Sequence, residues 1–326
     1  MLSRHAEDVC WAGRYLERAQ DTARILDVTY HTLLSTPAVE QATAWEGVLE
    51  VLGLSAHYRS QHGAVDHRLV HEYLLLDRTN SGSITSLVRR TRENVRGVRV
   101  LLSTEFWEAV NDLWLRLAAR DLSRDLDEHP AQLYGLVKTG TQTVMGAADE
   151  TMTRDEAWSF LHLGALLERA EMTCRLVDVH VRRLVEDDQL TTVGAFGPLL
   201  RSASASEAFL RTGQRPDAGD VVGFLLLSRS FPRSVLYSLV EAERHMAAVA
   251  GPNDRSRARR LMGRLRAELE YADVHELISG GLTTFLASIQ ADVREVTEAV
   301  ADRFFPSVYD LAVQSVLVRS GEEVDR

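Results

Sequence analysis

Near the start of the chain, apolar residues recur at steps of three and four: Val9, Ala12, Leu16, Ala19, Ala23, Leu26 and Tyr30. That spacing puts them on one side of a helix. A second strip runs beside the first with the same spacing but polar character: Gly13, Glu17, Gln20, Arg24 and Asp27. Two adjacent stripes, one apolar and one charged, predict a helix with two different neighbours. The pattern extends to one long helix over 3–34. Ser3 with Glu7 gives a shifted capping box at its start, and Ser35-Thr36-Pro37 ends it.

The same pattern returns 151 residues later. Residues 162–179 align without a gap on 11–28, with nine of eighteen positions identical: Gly13/Gly164, Leu16/Leu167, Glu17/Glu168, Arg18/Arg169, Ala19/Ala170, Thr22/Thr173, Arg24/Arg175, Asp27/Asp178 and Val28/Val179. Apolar periodicity alone recurs easily. Shared Gly, Glu, Arg, Thr and Asp at one offset does not, and it reads as an internal duplication.

Between these two stretches the pattern predicts a helix over 44–54 with Trp45, Val48, Leu49 and Leu52 inward, a polar turn at 60–63, and a helix over 64–77. A turn of small residues at 78–83 leads into a helix over 83–102 carrying Arg89, Arg90, Arg92, Arg96 and Arg99. Ser103-Thr104 caps the next helix. An acidic loop at 121–129 and a helix from Pro130 to 148 close the half. The second half follows the same order: Tyr73-Leu74-Leu75-Leu76 matches Phe224-Leu225-Leu226-Leu227, and Ser83-Ile84 matches Ser234-Val235. No segment has the period-two alternation and turn chemistry of a sheet. The expected class is all-α, an internally duplicated helical bundle. Its repeats are 1–150 and 151–326, the latter with a tail after Pro306. The junction at 149–155 lacks linker composition, so the halves are expected to form one unit about a pseudo-two-fold axis.

Composition changes this picture little. The chain is 45% hydrophobic and 26% charged with only seven prolines, which fits a globular protein. A formal net charge of -10 argues against general nucleic-acid binding. Lys138 is the only lysine. Cys10 and Cys174 make no disulfide framework and read as small core residues of a protein in a reducing compartment. No export segment or membrane span is expected, so the expected location is the cytoplasm.

The candidate chemistry lies in the polar strips. Glu17, Arg24 and Asp27 would converge with Glu168, Glu171, Arg175 and Asp178 if the long helices cross, with Gly13 and Gly164 allowing close backbone approach. Such a network either fixes helix register or lines a ligand cleft; Glu171 and Arg175 also have the spacing of an ordinary helical ion pair. Arg18 and Arg169 flank the seam and read as bridges to another helix. Ser83 and Ser234 read as helix caps. Arg78 and Arg229, in the turns before them, either stabilise the turn or hold an anion. His62, His67 and His71 lie close together but do not recur in the second half, so no metal is expected. No cofactor is expected either. No phosphate loop, nucleophile elbow or Cys–His constellation appears.

Met1-Leu2-Ser3-Arg4, Gly13-Arg14-Tyr15 and Glu17-Arg18-Ala19 resemble the start of the bacterial alpha-E domain family. Thr151-Met152, Arg154-Asp155-Glu156 and Glu168-Arg169-Ala170 resemble its middle motif, and Ser83-Ile84 with Arg92-Glu93-Asn94 the segment between. Two positions depart: Gln20 stands where the family usually has an acid, and Ser81 where Pro is common. The family is helical, and its members are encoded beside a circularly permuted ATP-grasp amide ligase and transglutaminase-like proteins. The resemblance therefore implies a part in making or processing an amide-linked peptide, with those proteins as partners and a peptide as possible substrate. The leading expectation is a non-catalytic helical accessory or scaffold protein. The rival is a peptide- or small-molecule-binding enzyme using the Glu/Arg/Asp strips; a pocket holding Glu17, Arg24, Glu168 and Arg175 together would favour it.

Overall fold

The structure is a computed structural model that describes residues 1–34, 38–186, 188–189, 192, 194–251 and 253–306. All its regular elements in this range are helical. In chain order they are α1 (Ser3–Leu33), α2 (Ala38–Val51), α3 (Ser55–His62), α4 (His67–Leu75), α5 (Ile84–Val98), α6 (Thr104–Ala118), α7 (Leu122–Glu128) and α8 (Pro130–Thr151). There follow α9 (Glu156–Glu186), α10 (Gly197–Ser202), α11 (Ser206–Leu210), α12 (Ala218–Leu227), α13 (Val235–Ala250), α14 (Arg257–Glu270), α15 (Val274–Gly280) and α16 (Leu282–Phe304). A 3-10 turn, Arg99–Leu101, follows α5. No helix among the described residues is long and apolar enough to cross a membrane.

The two longest helices, α1 and α9, pack against each other at the centre. Around them the neighbours correspond. Helix α1 packs on α5 and α8, and α9 on α13 and α16; α6 then backs α8 as α14 backs α16. The apolar seam is buried on both central helices, Leu16 and Ala19 on one and Leu167 and Ala170 on the other. Buried side chains from both halves form one continuous core.

Glycine sets how closely α1 and α9 approach. A Cβ on Gly13 would lie 2.0 Å from the Leu161 carbonyl oxygen, and one on Gly164 would lie 2.0 Å from the Cys10 carbonyl oxygen. No side chain fits there. Cys10 and Leu161 are themselves 151 apart, so the contact is reciprocal. Both cysteines are buried. Burial pushes the Cys10 thiol up to about 11 and raises Cys174 as well.

Several boundaries differ from the sequence reading. Ser3 is the first residue of α1, not its cap; Leu2 precedes it, and the chain's amino group instead pairs with Glu156 at 2.6 Å. Residues 35–37, expected to end that helix, lie outside the described residues, as does the tail after Pro306. The expected polar turn at 60–63 is the end of α3, held by the buried Tyr58 and stopped at Gly63, where φ is 74°. The expected acidic loop at 121–129 is α7. Asp121 caps it by accepting from the Arg124 N–H, and Leu126 anchors it. In both cases one buried side chain fixes a helix whose surface is too polar to show periodicity.

Candidate functional site

The charged strips of α1 and α9 interlock one turn beyond the glycine contact. Arg18 Nε and Nη2 donate to the two carboxylate oxygens of Glu168, at 2.6 and 2.8 Å. Arg169 does the same to Glu17, at 2.9 and 2.8 Å. Each is a two-pronged, charge-assisted contact that fixes direction as well as distance. Both glutamates are 2% exposed.

A wider set of charges surrounds each pair. Around Glu17, Arg233 Nη1 lies 3.0 Å from its carboxylate and 2.8 Å from that of Asp21. Arg24 reaches Asp21 at 3.0 Å and donates to the Ser202 carbonyl at 3.3 Å. Around Glu168, Arg14 stands 3.9 Å away and donates to Thr297 at 2.9 Å. Glu171 pairs with Arg175 within α9.

The electrostatics follow from burial and these partners. Burial alone would raise the Glu17 carboxyl, but Arg169 and Arg233 outweigh it and hold the group down at about 2. Glu168 is likewise lowered, with Arg18 and Arg14 overcoming desolvation. Asp21 is raised, by burial and by neighbouring Glu17. Arg24 is pushed down to about 10, first by burial and then by Arg233. Asp21 and Glu17 partly offset that repulsion.

The other residues singled out from sequence lie elsewhere. Asp27 pairs with Lys138 at 2.5 Å and His31 at 3.2 Å. Asp178 faces Arg182 at 3.7 Å. Neither aspartate enters the crossing, because each sits too far along its helix. Ser83 and Ser234 cap α5 and α13, accepting from the N–H groups of Ser86 and Tyr237. Arg229 pairs with Glu270 at 2.6 Å, and Arg78 is exposed. The cap hydroxyls are thus already engaged at both turns. His71 is buried, shares a hydrogen bond with Tyr134 at 3.0 Å, and is pushed down to about 4 by desolvation and then His67.

Beside the Glu17 pair opens a polar cleft of about 600 Å³ between α1, α8, α9 and α13. Arg169, Arg233 and Arg244 line it, with Asp149 and Glu241 at its edges and Trp158, His162, Tyr237 and His245 on its walls. The imidazoles of His162 and His245 stack with centroids 5.2 Å apart, and Trp158 packs on both. His245 is pushed down to about 3 by burial and then by His162, so it is neutral at pH 7. Glu17, Arg24, Glu168 and Arg175 do not line this cleft together.

Sequence reasoning missed Asp21, Arg233 and the cleft. Asp21 was findable: it lies four residues after Glu17 and three before Arg24, on the same face. Arg233 and His245 come from distant segments, and only the fold brings them to α9. His162 carried a faint signal, since Trp11 occupies the corresponding position in the first half.

A family model described as Alpha-E, a predicted alpha-helical domain with a conserved ER motif, matches residues 1–305. Glu17-Arg18 and Glu168-Arg169 are both Glu-Arg dipeptides. Similar curated proteins are an uncharacterized protein of Mycobacterium bovis and uncharacterized proteins of two Mycobacterium tuberculosis strains. Each is 24% identical over 318 residues, covering 90% of this chain and 36% of the relative. The chain thus spans about a third of the length of the curated relatives it matches. No solved structure matches it.

Proposed function

The chain belongs to the Alpha-E family, and from that premise we propose that it is a non-catalytic helical accessory module of an ATP-grasp amide ligase, acting in the synthesis or modification of a peptide or amide. The observation that carries this reading is the burial of Glu17 and Glu168, each clasped by the half-buried arginine of the other's Glu-Arg dipeptide. These charges hold two helices together with both carboxylates turned away from solvent, and of the four only Arg169 also borders the cleft, so they serve first as a scaffold. The mycobacterial relatives support it too, because the matching region there is part of a much longer chain, as expected of a module. The ligase, and a transglutaminase-like protein beside it, are the proposed partners. The test is co-purification with an ATP-grasp amide ligase from the same organism and assay of amide formation with and without this chain. A complex at micromolar concentration, or ligase activity that depends on the chain, supports the proposal. No complex and unchanged activity sinks it.

The reading includes an internal duplication, with 1–150 and 151–326 as repeats of one structural unit. Its support is the reciprocity of the glycine contacts and of the Arg18–Glu168 and Arg169–Glu17 pairs. Expressed separately, each half would expose its seam and lose the partner of a buried glutamate, so neither should melt cooperatively. A cooperative melt from either half alone would overturn the single-unit part.

A further inference from the structure

The floor of the cleft holds more positive charge than its carboxylates neutralise. Behind and along it, Arg24, Arg169 and Arg233 share only Glu17 and Asp21. At the rim the acids have cations of their own: Glu241 pairs with Arg244 at 2.7 Å, and Asp149 lies 3.8 Å from Arg154. The histidines add no charge at pH 7, since burial lowers both. The set therefore carries one guanidinium more than its carboxylates, with Arg169 and Arg233 on the cleft and Arg24 behind them. An unmatched charge in a desolvated place is costly, and an anion arriving there is favoured.

The walls carry unmet hydrogen-bonding capacity as well. Trp158 Nε1 and His245 Nδ1 are buried without a hydrogen-bond partner, and His245 as a whole is 2% exposed. His162 Nε2 comes within 3.1 Å of Asp149 but is not aligned to hydrogen-bond it. A buried indole N–H left unpaired needs an acceptor. Trp158, Tyr237 and Met145 also give the cleft apolar lining. Its volume is that of a small-molecule site.

We propose that this cleft binds a small organic oxyanion, a carboxylate or phosphate group carried on an aromatic or apolar body. The oxyanion lies against Arg233 and Arg244 and accepts from the Trp158 N–H, and the apolar body packs on the Trp158 and Tyr237 rings. The inference does not depend on any ligase partner, and its test uses the full chain alone.

Titration calorimetry with benzoate, phenyl phosphate and inorganic phosphate tests it. Saturable binding of benzoate or phenyl phosphate, tighter than inorganic phosphate and weakened by salt, is expected. Benzoate alone identifies a carboxylate site, and phenyl phosphate alone a phosphate site. Arg244 is exposed at the rim, so Arg244→Gln should fold normally and weaken binding on the order of tenfold. Trp158→Phe keeps an aromatic face, though a smaller one, removes the N–H and should also weaken binding. Arg90→Gln, on α5 away from the cleft, should change nothing. Absence of saturable heat from all three probes up to roughly 10 mM, or binding indifferent to both Arg244→Gln and Trp158→Phe, overturns the proposal.

Discussion

Replacing Arg169 with alanine tests whether the Glu-Arg crossing is a structural lock. The substitution removes both charge-assisted hydrogen bonds to Glu17 and the one donated to the Pro232 carbonyl at 3.2 Å. Glu17 would remain buried, with Arg233 at 3.0 Å as its remaining contact. Breaking a buried ion pair costs about 3–5 kcal/mol, and the surviving Arg233 contact places this case near about 3 kcal/mol. The depression of the Glu17 carboxyl, which sums burial with the effects of Arg169, Arg233 and Arg24, bounds the same quantity. The fall from 4.5 to about 2 corresponds to roughly 3 kcal/mol at neutral pH. The sign follows from the depressed folded value. This stability is fully present above the unfolded value near 4.5 and is lost as pH falls towards about 2. Urea melts suit the measurement, because guanidinium salts would screen the charges under test. The double variant Glu17→Gln/Arg169→Ala should lose less than the two single losses added together, since it removes the carboxylate along with its partner. Glu17→Gln should also flatten the acid limb of the stability curve. If Arg169→Ala lies within about 1 kcal/mol of the wild type, as a solvated surface pair would, the crossing is not a lock.

Other perturbations probe the surroundings. Gly13→Ala or Gly164→Ala should force α1 and α9 apart and cost at least as much as overpacking, about 1–3 kcal/mol; Gly135→Ala in α8, where an added Cβ meets nothing within 4 Å, should stabilise by about 0.5–1 kcal/mol, and equal thermal shifts would refute the close-approach argument. His71 is held neutral with its value lowered to about 4. The unfolded chain therefore binds the extra proton first, and stability should fall as pH drops from 6.5 towards 4; His71→Gln should flatten that window in pH-dependent urea melts, and an unchanged slope would count against the assignment. Ser83→Ala and Ser234→Ala should each cost about 1 kcal/mol through loss of a cap, while Arg78→Ala and Arg229→Ala should change stability by less than about 0.5 kcal/mol; the reverse order in thermal melts would mean that the turns depend on the arginines.

What was legible in the sequence was whatever repeats along a helix. The α1 and α9 seams, the capping serines of α5 and α13 and the two glycines all carry signals within a few residues of themselves. The strips were read correctly as polar faces, but their pairing was not. Periodicity says which face a residue occupies and does not say how far along the crossing extends. Asp27 and Asp178 share the face of Glu17 and Glu168, yet lie past the contact and find Lys138 and Arg182 instead. Arg18 and Arg169 look peripheral on a helical wheel but reach across to form two-pronged pairs, because a long guanidinium stem can wrap the edge of a helix. Short helices such as α3 and α7 were invisible for the opposite reason. Each buries a single anchor, Tyr58 or Leu126, too little to make a period.

The two flanks of the crossing do not match, and the mismatch yields a last prediction. The cleft residues His162, Ala165 and Leu166 stand 151 positions after Trp11, Arg14 and Tyr15. In the first half those larger side chains pack on one another. Trp11 and Tyr15 stack at 5.4 Å, and the Arg14 guanidinium lies 5.5 Å from the Trp11 ring. The smaller residues of the second half leave room, and the cleft opens there. Installing the first-half pair, His162→Trp with Leu166→Tyr, should therefore fill the cleft without touching Glu17 or Arg169. The expected double variant melts within a few degrees of wild type, since the lock and the glycine contact are intact, but no longer binds benzoate or phenyl phosphate. Retained binding would show that the probes sit elsewhere. Collapse of the fold would show that the two flanks are not equivalent environments and that the cleft is not simply a first-half site with smaller side chains.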